Sequence, residues 1–154
     1  LLLADRDSLH YVSNRAPGFA RALAPGVYGL ANHFLDTPWP KVLRVRHGLE
    51  RWLERPDADP RELFVLLADR AHASDGDLPD TGLTPEWERA LSAPFVAHGE
   101  YGTRCSTVLA IGHDDTLQVE EHGFDASGRL TGVAAYRFVG AGWLAGNPPA
   151  PAQL

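Results

Sequence analysis

Apolar and polar positions along the chain fall into two stretches that alternate as strands do, with a stretch of helical spacing between them. Residues 1–4 and Leu9-His10-Tyr11-Val12 flank Asp5-Arg6-Asp7, which predicts a hairpin. Asn14-Arg15-Ala16-Pro17-Gly18 then leads to residues 19–23, and Pro25-Gly26 turns the chain into residues 27–32. Residues 1–32 therefore read as four successive antiparallel strands. Thr37 with Pro38 offers a cap and first turn for a helix whose Val42, Val45, Leu49, Trp52 and Leu53 share one face. Lys41, Arg44, Arg46, Glu50 and Arg51 fill the opposite face. Asp59-Pro60-Arg61-Glu62 resembles a capping box and predicts a second helix that turns Leu63, Phe64, Leu67 and Ala71 inward. Thr84-Pro85-Glu86 starts a third, shorter helix through Trp87 and Leu91, and the acidic, turn-rich residues 72–80 between these two helices read as a loop.

Strand patterning returns in residues 107–111, 117–122 and 131–139, joined by hairpins at 113–116 and 123–129. Strands, then helices, then strands, without regular alternation, predict an α+β fold and not a doubly wound parallel sheet. The expected domain covers residues 1–140, and residues 141–154, rich in Pro, Ala and Gly, read as a disordered tail. The length suits one domain, and the apolar share of 44% suits a globular core. The net charge of −6 argues against nucleic acid or an anionic membrane as the main partner. One cysteine excludes an internal disulfide and a Cys-rich zinc site, and points to a reducing compartment, here the cytoplasm. The chain holds no methionine and opens on Leu1-Leu2-Leu3, too short for a span, so a fragment or processed product is expected.

Candidate chemistry gathers in two places. In the run from His98 to Ile111, Gly99 and Gly102 bend the chain, and Arg104 stands at the mouth of what reads as a central strand. A guanidinium is costly to bury unpaired and well shaped to hold a carboxylate or orient an attacking group; the plainer reading is a salt bridge at a sheet edge. Asn32 ends the Tyr28-Gly29-Leu30-Ala31-Asn32 segment, where it either caps the following turn or offers an amide donor. Cys105 reads as a buried bystander, turned by strand alternation to the face opposite Arg104. His113-Asp114-Asp115 and Glu120-Glu121-His122 read as solvated residues flanking a turn, and the helical zinc spacing His-x-x-x-His does not occur. No metal or cofactor is expected. Gly-x-Ser-x-Gly, phosphate-loop and dinucleotide motifs are also missing. Trp39, Trp52, Trp87 and Trp143 read as core or interface aromatics.

Tyr28-Gly29-Leu30-Ala31-Asn32 followed by Leu35-Asp36-Thr37-Pro38-Trp39-Pro40-Lys41, then Tyr101-Gly102-Thr103-Arg104 before a strand, resembles the NRDE family, that of the Transport and Golgi organisation 2 proteins. Ala4-Asp5-Arg6-Asp7 and Tyr11-Val12-Ser13-Asn14-Arg15 resemble its middle segment. The family's Asn-Arg-Asp-Glu motif and the cysteine beside the initiator do not occur here; Asp5-Arg6-Asp7 is a different hairpin with no Glu after it. The resemblance implies an αββα layered sandwich like that of N-terminal-nucleophile hydrolases, incomplete at its N-terminus. In that superfamily a freed N-terminal Cys, Ser or Thr attacks an amide carbonyl. By resemblance Asn32 falls near the oxyanion and Arg104 beside the nucleophile, both in supporting roles, with the nucleophile absent from this chain.

Two functions follow from the resemblance. One is an amidase-like hydrolase of non-peptide carbon–nitrogen bonds in the complete protein, acting on a small-molecule substrate. The other is a non-catalytic carrier or trafficking factor for lipid, acyl or haem ligands, since eukaryotic members are linked to Golgi organisation and to mitochondrial lipid and haem handling. The chain by itself is expected to be inactive, and marginally stable because open apolar faces invite pairing.

Overall fold

The computed structural model describes residues 1–5, 7–99 and 101–139, so the expected tail and Trp143 lie outside the described residues. The architecture is mixed α+β, with three small antiparallel sheets and short helices. Strands β1 (Leu2–Ala4), β2 (Leu9–Val12) and β3 (Ala20–Ala22) form the first sheet in that order, with Leu3 opposite His10 and Tyr11 opposite Arg21. The Asp5 carboxylate closes the first turn by accepting from the Asp7 and Ser8 backbone N–H groups at 2.9 and 2.7 Å.

Residues 27–32, expected as a fourth strand, form a loop instead. A strand needs a neighbour to take its backbone bonds, and Gly29 spends both of its own on Asp36: its N–H donates to the Asp36 carboxylate at 2.8 Å, and its C=O accepts the Asp36 N–H at 2.7 Å. Helix α1 (Pro40–Leu53) begins at Trp39-Pro40, three residues after Thr37, because the Thr37 hydroxyl already donates to the Phe34 carbonyl. Asp59 caps as expected, accepting from Arg61 N–H at 2.9 Å, but the second helix shrinks to a 3₁₀ turn (Pro60–Glu62) and the short α2 (Leu63–Leu67). Glu62 pairs with Arg55 rather than reaching back to its cap, and the Asp69 carbonyl turns away to accept from Phe95 N–H at 2.8 Å. Ala71 is consequently exposed and outside any helix. Helix α3 (Pro85–Leu91) is capped by the Thr84 hydroxyl, as its sequence predicts.

Strands β4 (Ala97–His98) and β5 (Tyr101–Gly102) make a two-stranded ribbon, and β6 (Cys105–Ile111), β7 (Leu117–Phe124) and β8 (Leu130–Phe138) make the third sheet. Its order is β6-β7-β8, so β6 is an edge strand and not the central one expected. Along β6 the burial alternates strictly: Ser106, Val108 and Ala110 are covered, while Cys105, Thr107, Leu109 and Ile111 are exposed. The covered face meets the helices through an Arg61–Glu120 ion pair at 2.9 Å and a flat stack of Phe64 on His122 with centroids 3.7 Å apart. Arg70 adds a bond to the Gly128 carbonyl at 2.7 Å and covers the Phe95 ring. The opposite face, with Leu109 about 60% exposed and Ile111 about 59%, has nothing packed on it among the described residues. Among the described residues the buried apolar ones are few, namely Tyr11, Leu35, Val42, Ala73, Ala90, Ala93 and Phe95, and three of these are alanines, so the core they form is thin. No helix among the described residues is long and apolar enough to cross a membrane.

Candidate functional site

Residues 29–36 form a loop closed on itself by the paired Gly29 and Asp36 bonds. Asp36 takes a left-handed backbone angle of φ 60°, which Asp tolerates better than most residues, and so aims its carboxylate back across the loop. Arg46 of α1 then clasps Asp36 at 3.3 Å and fastens the loop to the helix. Gly29 packs against that helix so closely that an added Cβ would stand 2.4 Å from Val42 Cγ1. Leu35 of the loop is buried, and Asn32 and His33 are exposed.

Asn32 does not cap the turn that follows it. His33 and Thr37 do that work, with His33 Nδ1 2.8 Å from the Thr37 hydroxyl. Among the described residues the Asn32 side chain has no hydrogen-bond partner, and it lines two cavities. One, of about 270 Å³, lies between the loop, the start of α1 and α3, and is lined also by Trp39, Lys41, Thr81, Glu88 and Ser92. The other, of about 410 Å³, lies against the first sheet beside Tyr11, Val12 and Phe19.

The smaller cavity holds two charged groups that sequence reading did not single out. Lys41, assigned from its position to the outer face of α1, is half-buried, and its ammonium donates to the Leu91 carbonyl at 2.8 Å. Burial holds this ammonium below the usual lysine value, opposed by the charge of Glu88. Glu88 is buried, and one of its oxygens accepts from the Thr81 hydroxyl at 2.6 Å and the Thr81 N–H at 2.7 Å. The Thr81 hydroxyl holds its carboxyl below the usual glutamate value, against the opposing pull of burial. Ser92, also buried, receives the Ala73 N–H at 2.9 Å and donates to the Arg89 carbonyl at 2.7 Å. The arrangement offers an uncommitted amide, an ammonium and an indole ring to a small molecule. One available signal for Lys41 was its place in the Leu35-to-Lys41 motif; Glu88 carried none, because its partner Thr81 lies outside its helix.

Arg104 is placed differently. It links β5 to β6, is exposed, and lines neither of the cavities that Asn32 lines. Its carbonyl accepts from Phe124 N–H at 2.8 Å, while its guanidinium has no partner among the described residues. The edge salt bridge is therefore not formed there. Cys105, expected as buried, is exposed, since strand alternation turns it to the face that no helix covers. On the other face, His122 approaches Glu120 at 2.9 Å, and Glu120 is taken up by Arg61.

The family model described as Transport and Golgi organisation 2 matches residues 1–126. The chain is 33% identical over 124 residues to the Transport and Golgi organization protein 2 homolog of Bos taurus, covering 75% of this chain and 45% of that protein. It is 29% identical over 129 residues to the Homo sapiens homolog, covering 79% and 47%, and 28% identical over 113 residues to that of Mus musculus, covering 68% and 41%. The chain thus spans less than half the length of these relatives. On the extent of the family match, which takes in both the Asn32 loop and the Arg104 strand head, the chain belongs to the Transport and Golgi organisation 2 family.

Proposed function

We propose that this chain supplies the supporting half of an amidase-like hydrolase of small molecules, acting on carbon–nitrogen bonds other than peptide bonds, with its N-terminal nucleophile outside the chain. The observation that carries this reading is the inverted polarity of the third sheet. Leu109 and Ile111 lie on the uncovered face, and Arg104 stands uncommitted at the head of the same strand. A second sheet laid on that face, with helices beyond it, would complete an αββα sandwich over a domain of residues 1–140, and Arg104, just ahead of the first residue of β6, would stand at the end of the strand that borders the junction. There the guanidinium would favour the thiolate of a nucleophilic cysteine, and the Asn32 amide would donate to the developing oxyanion. The location we assign is the cytoplasm, and a single exposed thiol suits that reducing compartment.

The test uses the protein made from its complete reading frame. An electrophilic amide-type probe should label the residue that follows the initiator methionine, and labelling should fall at least tenfold in Arg104→Ala and in Asn32→Ala. A residue other than Cys, Ser or Thr at that position, or labelling unchanged in both variants, overturns the hydrolase reading. One observation favours a carrier instead: a cavity of about 270 Å³ between the loop and α1 is lined largely by apolar groups, including Tyr28, Leu30, Val42, Val45 and Leu49. Such a lining suits a lipid or acyl ligand without any chemistry.

A further inference from the structure

Lys41 lines both the cavity that Asn32 lines and the cavity between the loop and α1. Its ammonium carries three donors, and among the described residues only one is used, on the Leu91 carbonyl. Trp39 lies beside it, with the ammonium 5.6 Å from the ring centroid, as a flat apolar wall. Glu88 lines the same cavity but is already held by Thr81 at 2.6 and 2.7 Å, and it acts on Lys41 only at longer range. The result is a half-buried cation without a close counter-ion, standing over a concave void with two unused donors. Removing an ammonium from water is costly, and an anionic acceptor brought by a ligand offsets that cost most directly.

We propose that Lys41 anchors the carboxylate of a small organic acid whose apolar body packs on Trp39. The cavity, at about 270 Å³, lies just below the usual range for ligand cavities, which limits the acid to a small one. Neighbouring walls of Pro40, Pro79, Leu83 and Leu91 suit a ring or short branched chain more than a sugar or a nucleotide. Lys41 acts here as a binding residue; no bond is made or broken. The proposal extends the hydrolase reading by naming the acidic group of its ligand, and its test needs no nucleophile, so the two fail separately.

The probe is benzoate, compared with the uncharged analogue benzyl alcohol, in the protein and in Lys41→Gln and Lys41→Arg. Binding is read by tryptophan fluorescence, with Trp39→Phe identifying the responding ring, and by the amine titration of Lys41 in the NMR spectrum. Benzoate should saturate the change, bind at least tenfold more tightly than benzyl alcohol, lose that advantage in Lys41→Gln and recover part of it in Lys41→Arg. Bound benzoate should also raise the Lys41 pKa. Equal binding of the two probes, an advantage kept in Lys41→Gln, or no saturable change with benzoate overturns the assignment, whatever the nucleophile labelling shows.

Discussion

The loop that carries Asn32 and the strand head that carries Arg104 are held by different kinds of interaction. Asn32 is positioned from within: Gly29, Asp36 and Arg46 are joined by hydrogen bonds and an ion pair, and Leu35 of the same loop is buried. Arg104 is held through its backbone, by the Phe124 N–H, and its guanidinium makes no hydrogen bond or ion pair among the described residues. A loop latched by its own side chains presents its tip in a defined place before any ligand or neighbouring sheet arrives. A lone guanidinium at the end of an edge strand takes its place from whatever packs beside that strand end. The two halves of the proposed site therefore differ in what they owe to this chain.

That contrast can be broken most strongly at Gly29. In Gly29→Ala the new Cβ must displace Val42 and Arg46, so the loop lifts from α1 and stability falls by about 2–3 kcal/mol. Chemical denaturation measures the loss, and early proteolytic cutting within residues 29–36 locates it. A midpoint unchanged from the parent would mean that the loop is not held by this contact. Asp36→Ala acts next, by about 1–2 kcal/mol, because it strips the Gly29 N–H of its acceptor and leaves Arg46 with Glu50 as its remaining carboxylate partner. It should weaken any ligand binding that depends on Asn32, whereas Asp36→Asn, which keeps an acceptor for Gly29, should recover part of both.

Acid acts on the strand-head side. Asp125 lies in the turn next to Phe124, and its carboxyl is lowered from 3.8 to about 2, first by the Ser127 hydroxyl, then by the Arg129 N–H. A carboxylate depressed on folding supports the fold fully above its unfolded value and loses that support as pH falls through its folded one. The protection of amides in the β7–β8 turn, relative to their intrinsic exchange at each pH, should therefore fall between about pH 4 and pH 2. Protection that stays flat across that window would remove the turn from the acid response. The smallest effect belongs to Arg104→Ala, which should leave the unfolding free energy within about 0.5 kcal/mol of the parent, since no hydrogen bond or ion pair is lost. A larger loss would show that the guanidinium is a structural residue and end its role at the site.

Sheet and helix patterning was legible wherever one window of sequence contained the whole signal. Strands β6 to β8 and helix α3 stand close to their expected places, because alternation in the strands and the Thr84-Pro85 cap are local. Helix α2 is shorter than its sequence predicts for a non-local reason: Glu62 pairs with Arg55, and the Asp69 carbonyl accepts from the Phe95 N–H. Burial was the least legible property. Cys105 is exposed because its face of the sheet is uncovered, and Lys41 is half-buried because α3 and residues 79–83 fold over the start of α1.

By itself the sequence determined the general course of the chain, strands then helices then strands, and the family motifs, since these depend on neighbouring residues and on the twofold and 3.6-fold periods of the backbone. Only the tertiary structure decided that the Tyr28-to-Asn32 segment is a latched loop and that Lys41 and Glu88 share its cavity. Backbone groups pair with whichever partner the whole chain brings within reach, and the exposure of a side chain depends on elements far away in sequence.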